Sequence, residues 1–172
     1  MRWFDRTFPF DLSPSLFPNV VQRLRVTPAR LEELVRNIPT AVASRRSEDT
    51  WSIQENAGHL FDLEALWMAR VRDLQSGKTE LTEADLTNRL TWERKHNEGL
   101  LEDIMKSFRS ARKEFVRSLD AMDGSMIERA AKHPRLGKPM RLIDLAFIVA
   151  EHDDHHLARI TQLKRRGTPE AL

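Results

Sequence analysis

The sequence predicts an all-α protein, a four-helix bundle, and three observations carry that expectation. Apolar residues recur at three- and four-residue steps in four separate segments. No strand-like alternation of useful length occurs between them. The intervening stretches are polar or carry proline and glycine, as connections between bundle helices do.

Residues 1–26 read as an arm and a short helix. The arm is rich in aromatic residues but aperiodic, and Trp3, Phe4, Phe8 and Phe10 are expected to pack either on the chain's own bundle or on a neighbouring subunit. In TPARLEELVRNIP, Thr27 is the expected N-cap and Pro28 the first helical residue. Leu31, Leu34, Val35 and Ile38 share one face there, and Pro39 ends or kinks the helix. Ser52 and Glu55 form an S-x-x-E capping box that opens a helix of about six turns. Its stripe runs through Ile53, Ala57, Leu60, Leu63, Trp67, Val71 and Leu74, with Gly77 as the stop.

Residues 76–96 form a long polar connection with one short helix. The third helix spans about Asn97 to Met122, with Leu101, Ile104, Phe108, Ala111, Phe115 and Leu119 as its seam. AKHPRLGKPM reads as a loop. The last helix spans about Leu142 to Arg165 and is closed by Gly167 and Pro169.

Composition narrows the function classes. A chain of 172 residues fits one domain, 1–172. With 28 Lys and Arg against 26 Asp and Glu, its net charge of +2 gives neither nucleic acid nor an anionic membrane as a main partner. The absence of cysteine excludes disulfides, cysteine-held metal clusters and a protein thiol nucleophile, so any reacting thiol must arrive from outside. Asp5, Arg6, Pro9 and Asp11 interrupt the N-terminus against a signal peptide, and no run approaches the ~20 apolar residues of a membrane span. A cytoplasmic location is the expectation.

The segment EHDDHHLARI, residues 151–160, carries the chemistry. At ~100° per residue, His152 and His156 fall on the line of Leu142, Leu145, Val149, Ile160 and Leu163, where the pattern calls for an apolar side chain. Histidines four apart present their rings from one side of a helix, near enough to share an ion. They can equally be core histidines bonded to Asp153, a carbonyl or water. His155 points to the flank, and Asp153 sits at the edge of the core face. The run also has the outline of the zinc-protease motif H-E-x-x-H, but with the shorter Asp153 in place of Glu.

WSIQENAGHL (51–60) and AEHDDHHLARI (150–160) together make the chain resemble the DinB-like superfamily, which includes the YfiT-type metal-dependent hydrolases. The resemblance extends over most of residues 27–166. It implies a four-helix bundle of up-down-down-up type with long connections, and one divalent ion held by His59, His152 and His156. Arg159 departs from the family's Gln, which puts that residue's role in doubt. Three neutral nitrogens leave a position open, as in catalytic sites, for zinc or nickel first, or iron or manganese.

The function so implied is a metal-dependent hydrolase, or a transferase using a low-molecular-weight thiol, acting on a small-molecule substrate, with a homodimer as the expected assembly. Glu55, Asp62 and Asp153 are the base candidates, each with a blander role: capping for Glu55, solvation for Asp62, and orienting a histidine for Asp153. The alternative is a non-catalytic helical binding module with a structural or storage metal. His133 is expected to be an exposed loop residue ahead of the alternative that it lines a pocket beside the ion, and Trp51 to anchor its helix. Trp92, Arg94 and His96 are expected to pack within the long connection ahead of forming a substrate wall.

Overall fold

A computed structural model describes residues 3–46 and 50–167, and its main helices are those the apolar stripes mark out. In chain order the elements are α1 (Phe17–Val35), α2 (Thr40–Ala43), α3 (Ile53–Asp62), α4 (Glu64–Gln75), α5 (Arg89–Glu93), α6 (Leu101–Asp120), α7 (Gly124–Ile127), β1 (Ala130–Lys132), β2 (Pro139–Arg141) and α8 (Leu142–Gly167). The predicted closing residue Pro169 lies outside the described residues.

Helix α1 begins ten residues before the predicted cap. Phe17, Val20, Val21 and Leu24 extend the buried stripe backwards, so Pro28 falls inside the helix. An interior proline leaves the carbonyl four residues earlier without its donor. That carbonyl belongs to Leu24, and Arg112 Nη1 donates to it at 3.3 Å. Thr27 caps nothing; its hydroxyl donates to Asp153 Oδ2 at 2.8 Å.

The Ser52–Glu55 capping box forms as expected. Glu55 N donates to Ser52 Oγ at 3.0 Å, and Ser52 N donates to Glu55 Oε2 at 2.9 Å. The single six-turn helix expected after it is instead two, α3 and α4, which meet at Leu63. The predicted loop at 130–141 contains an antiparallel pair, with Ala130 opposite Arg141 and Lys132 opposite Pro139. Strands of three residues are too short to show alternation in sequence. Helix α8 starts where Asp144 Oδ2 accepts from Arg141 N at 3.0 Å, and it ends on Lys164, Arg165 and Arg166, cations that suit a helix C-terminus.

Helix α1 packs on α6 and α8, and α3 packs on the same two, so α1 and α3 lie across a diagonal. The core comes in two apolar clusters. One gathers Phe17, Leu24, Trp67, Phe115 and Leu145; the other gathers Leu31, Leu60, Phe108, Leu157 and Ile160. In each long helix the residues between the two are buried and polar: Thr27 in α1, Glu64 at the start of α4, Arg112 in α6, and His152, Asp153 and His156 in α8. A polar layer therefore cuts the core in two, and the site lies in it. Among the described residues no helix is long and apolar enough to cross a membrane.

Candidate metal centre

Helix α8 sets His152 and His156 one turn apart, and α3 brings His59 against both. Ring centroids are 4.5 Å apart for His152 and His156, 4.8 Å for His59 and His156, and 5.2 Å for His59 and His152. One nitrogen from each ring lies within 4.8 Å of those of the other two. All three residues are buried.

Hydrogen bonds to the outer nitrogens fix which inner nitrogens are bare. The Asn56 amide donates to Ser52 O at 2.7 Å and to Trp51 O at 3.3 Å, which turns its oxygen toward His156 Nδ1 at 2.8 Å. An amide oxygen only accepts, so His156 carries its proton on Nδ1 and keeps a lone pair on Nε2. The Thr91 hydroxyl donates to Asp62 Oδ2 at 2.8 Å and lies 3.0 Å from His59 Nδ1. Its one proton is thus committed, and His59 Nδ1 must donate to it, which leaves His59 Nε2 bare. His152 Nε2 sits 3.2 Å from His156 Nε2, while His152 Nδ1 is buried without a partner among the described residues. The protein alone does not satisfy these three rings.

Electrostatics keep them neutral. Burial, helped by the neighbouring histidines, pushes His152 and His156 well below the usual imidazole value. Burial likewise takes His59 down to about 4, with Asp62 opposing it. Neutral imidazole is the form that binds metals. Bare nitrogens converging from neutral rings fit a divalent transition metal.

Around the rings, Asp62 is buried and also meets Arg94 Nη1 at 2.7 Å and His96 Nε2 at 2.9 Å. The expectation of a solvated Asp62 therefore does not hold. His96 fits only because residue 58 is glycine: a Cβ there would stand 2.3 Å from its ring. The Trp51 ring lies 4.5 Å from His59 and stacks toward His156 at 6.1 Å, so it walls the site as well as opening the helix. A pocket of about 180 Å³ adjoins the cluster, and Trp3, Phe4, Trp67 and the half-buried His155 line it. The arm packs on its own bundle there, with Trp3 5.0 Å from His152 and Phe8 6.4 Å from Phe147.

The carboxylates named as base candidates have other partners. Asp153 is bonded to Thr27 and Arg112, and no hydrogen bond joins it to a histidine. Glu55 is held by Ser52 and Arg46; its burial opposes ionisation, but those partners leave it below the usual carboxylate value. Arg159 reaches Gln162 at 3.3 Å on the surface. His133 is buried rather than exposed.

A sequence model of the DinB superfamily matches residues 23–160. The chain belongs to the DinB superfamily. Among solved structures, this DinB chain is similar to YfiT from Bacillus subtilis, described as a probable metal-dependent hydrolase with an unusual four-helix bundle topology. The two share 18% identity at a TM-score of 0.81, over 94% of this chain and 93% of that one. A Streptococcus pneumoniae protein superposes with a TM-score of 0.69 at 11% identity, over 93% of each chain. No curated protein matches the chain at a significant level. These likenesses establish the four-helix DinB fold expected from the sequence.

Proposed function

We propose that this DinB protein is a metal-dependent enzyme in which His59, His152 and His156 hold one divalent transition ion, and a small molecule in the adjoining pocket reacts beside it. The observation that carries this reading is the tautomer pattern. His59 and His156 each have Nδ1 tied to an acceptor, so their Nε2 lone pairs converge on one point with His152.

An ion held there would supply Lewis acidity, lowering the pKa of a water or of a small cofactor's thiol toward neutral pH. The chain's own residues do the rest. Asn56 and the Asp62–Thr91 pair hold two rings in tautomer and orientation, the usual work of groups behind metal-bound histidines. Trp3, Phe4 and Trp51 cover the rings and limit water. His155, on the pocket wall, is the imidazole left to take a proton from a bound nucleophile. In this reading Asp153 and Glu55 hold the fold and do not act as bases. Zinc or nickel suits an all-imidazole site best, with iron or manganese also compatible.

The test is to express the chain without a histidine tag, exchange it into metal-free buffer and measure bound metals by mass spectrometry. The expected result is about one transition ion per chain, lost in the His152→Ala, His156→Ala double variant. No metal in either protein, and no uptake of added zinc or nickel, overturns the proposal.

A further inference from the structure

Beside the histidine pocket lies a smaller cavity of about 70 Å³ that shares the rings of Trp3, Phe4 and Trp67 with it. Arg70 of α4 lines this cavity and is only 2% exposed. Its Nε donates to Thr82 O at 2.9 Å and its Cζ stands 5.6 Å from the Trp67 ring centroid, contacts that give it no paired carboxylate. Its Nη groups make no hydrogen bond among the described residues. The nearby Asp73 is taken up by Lys78 and Thr82. Glu83, a carboxylate on the cavity lining, is exposed and forms no ion pair with Arg70 or Arg135.

Two further groups face the same space. His133 is buried, and its Nδ1 accepts from Leu136 N at 3.3 Å, which places the proton of the neutral ring on Nε2, a donor with no partner among the described residues. Arg135 is exposed on the lining, its guanidinium 5.1 Å from the Phe4 ring centroid. The cavity is thus electropositive. Burial, eased by Asp73 and reinforced by Arg135, brings Arg70 down to about 10, and burial with the charges of Arg70 and Arg135 brings His133 down to about 4. A guanidinium enclosed without a counter-ion is costly, and a bound anion would relieve it.

We propose that this cavity is a carboxylate-binding subsite, in which the Arg70 guanidinium and the His133 Nε2–H hold the acid group of a small organic acid and Arg135 attracts it from the rim. A planar guanidinium matches a carboxylate in geometry as well as charge. Trp67 lies 5.8 Å from His152 and 5.6 Å from Arg70, so one indole separates the two sites. The acid group would then anchor a molecule whose reactive end occupies the histidine pocket; that second step rests on the proposed metal site, whereas anion binding does not.

The test uses the full chain, metal-free, titrated with sodium acetate and separately with inorganic phosphate in a calorimeter, with chloride holding ionic strength constant. Saturable acetate binding is expected, at least tenfold weaker in Arg70→Gln, several-fold weaker in Arg135→Gln and unchanged in the His152→Ala, His156→Ala variant. Because Arg135 is exposed, its variant keeps the test decisive if Arg70→Gln fails to fold. Phosphate binding without acetate binding overturns the carboxylate assignment. Binding of neither ion, or equal acetate affinity in the arginine variants, overturns the subsite.

Discussion

His152 and Asp153 are neighbours in α8, yet they belong to opposite kinds of buried polar cluster within one layer of the core. Around Asp153 the charges answer one another: Arg112 donates to both its oxygens and to Glu64 Oε1, Thr27 adds a bond, and the carbonyl freed by Pro28 takes a further Arg112 hydrogen. Around His152 two bare nitrogens converge and, among the described residues, a third nitrogen has no partner. The difference separates two uses of buried polarity. A closed cluster ties helices α1, α4, α6 and α8 together, whereas an open one leaves donor atoms free for a ligand.

The contrast breaks most visibly at Arg112. Arg112→Met leaves two buried carboxylates without their cation and should cost about 3–5 kcal/mol, read from urea denaturation. His152→Leu, made in metal-free buffer, should cost less than about 1.5 kcal/mol, since the lost ring already carries an orphaned nitrogen. Equal losses would erase the distinction. Asn56→Ala and Thr91→Val should each weaken metal affinity by about 10–100-fold in competition with a chromophoric chelator. Unchanged affinities would deny both residues their orienting role.

Glu64 tests the closed cluster from within, because Arg112 is one cation shared by two carboxylates. Burial raises Glu64 to about 7 against the pull of Arg112, and its Oε2 has no partner among the described residues. The native state therefore holds a proton that the unfolded chain has released between pH 4.5 and 7. Stability should fall as pH rises through that window. Glu64→Gln should flatten the decline and gain on the order of 1–2 kcal/mol over the wild type at pH 8; a parallel decline in both proteins would locate the titration elsewhere. The smallest effect is expected at His155, where substitution by Ala should leave the metal content unchanged. Loss of the metal would make His155 a ligand.

The helices were legible wherever a stripe was long: α6, α8 and the capped start of α3 announce themselves by spacing alone. The true start of α1 was hidden because Pro28 has the form of a first-turn proline, and only a distant arginine makes it tolerable inside. His152 and His156 stood out as polar residues on an apolar line, but His59 needed the family resemblance. Asn56 and Thr91 escaped notice, and Asp62 and His96 were named without being joined, because their meeting depends on how residues 88–98 dock on α3, a long-range event without a period. One trace was present in the sequence. Gly58 weakens the interior of a helix and has no turn to make, which is the mark of a close approach.

The chain has four tryptophans, and their placement gives the site an optical voice. Trp51 touches His59, Trp3 and Trp67 touch His152, and Trp92 touches Trp51 at 5.9 Å. Nearly all the intrinsic emission of this protein thus originates within one or two rings of the imidazoles. An open-shell ion such as nickel should quench it, while closed-shell zinc should only shift it. The arrival of added metal, and whether it is open- or closed-shell, should be readable from the unlabelled chain by its own light.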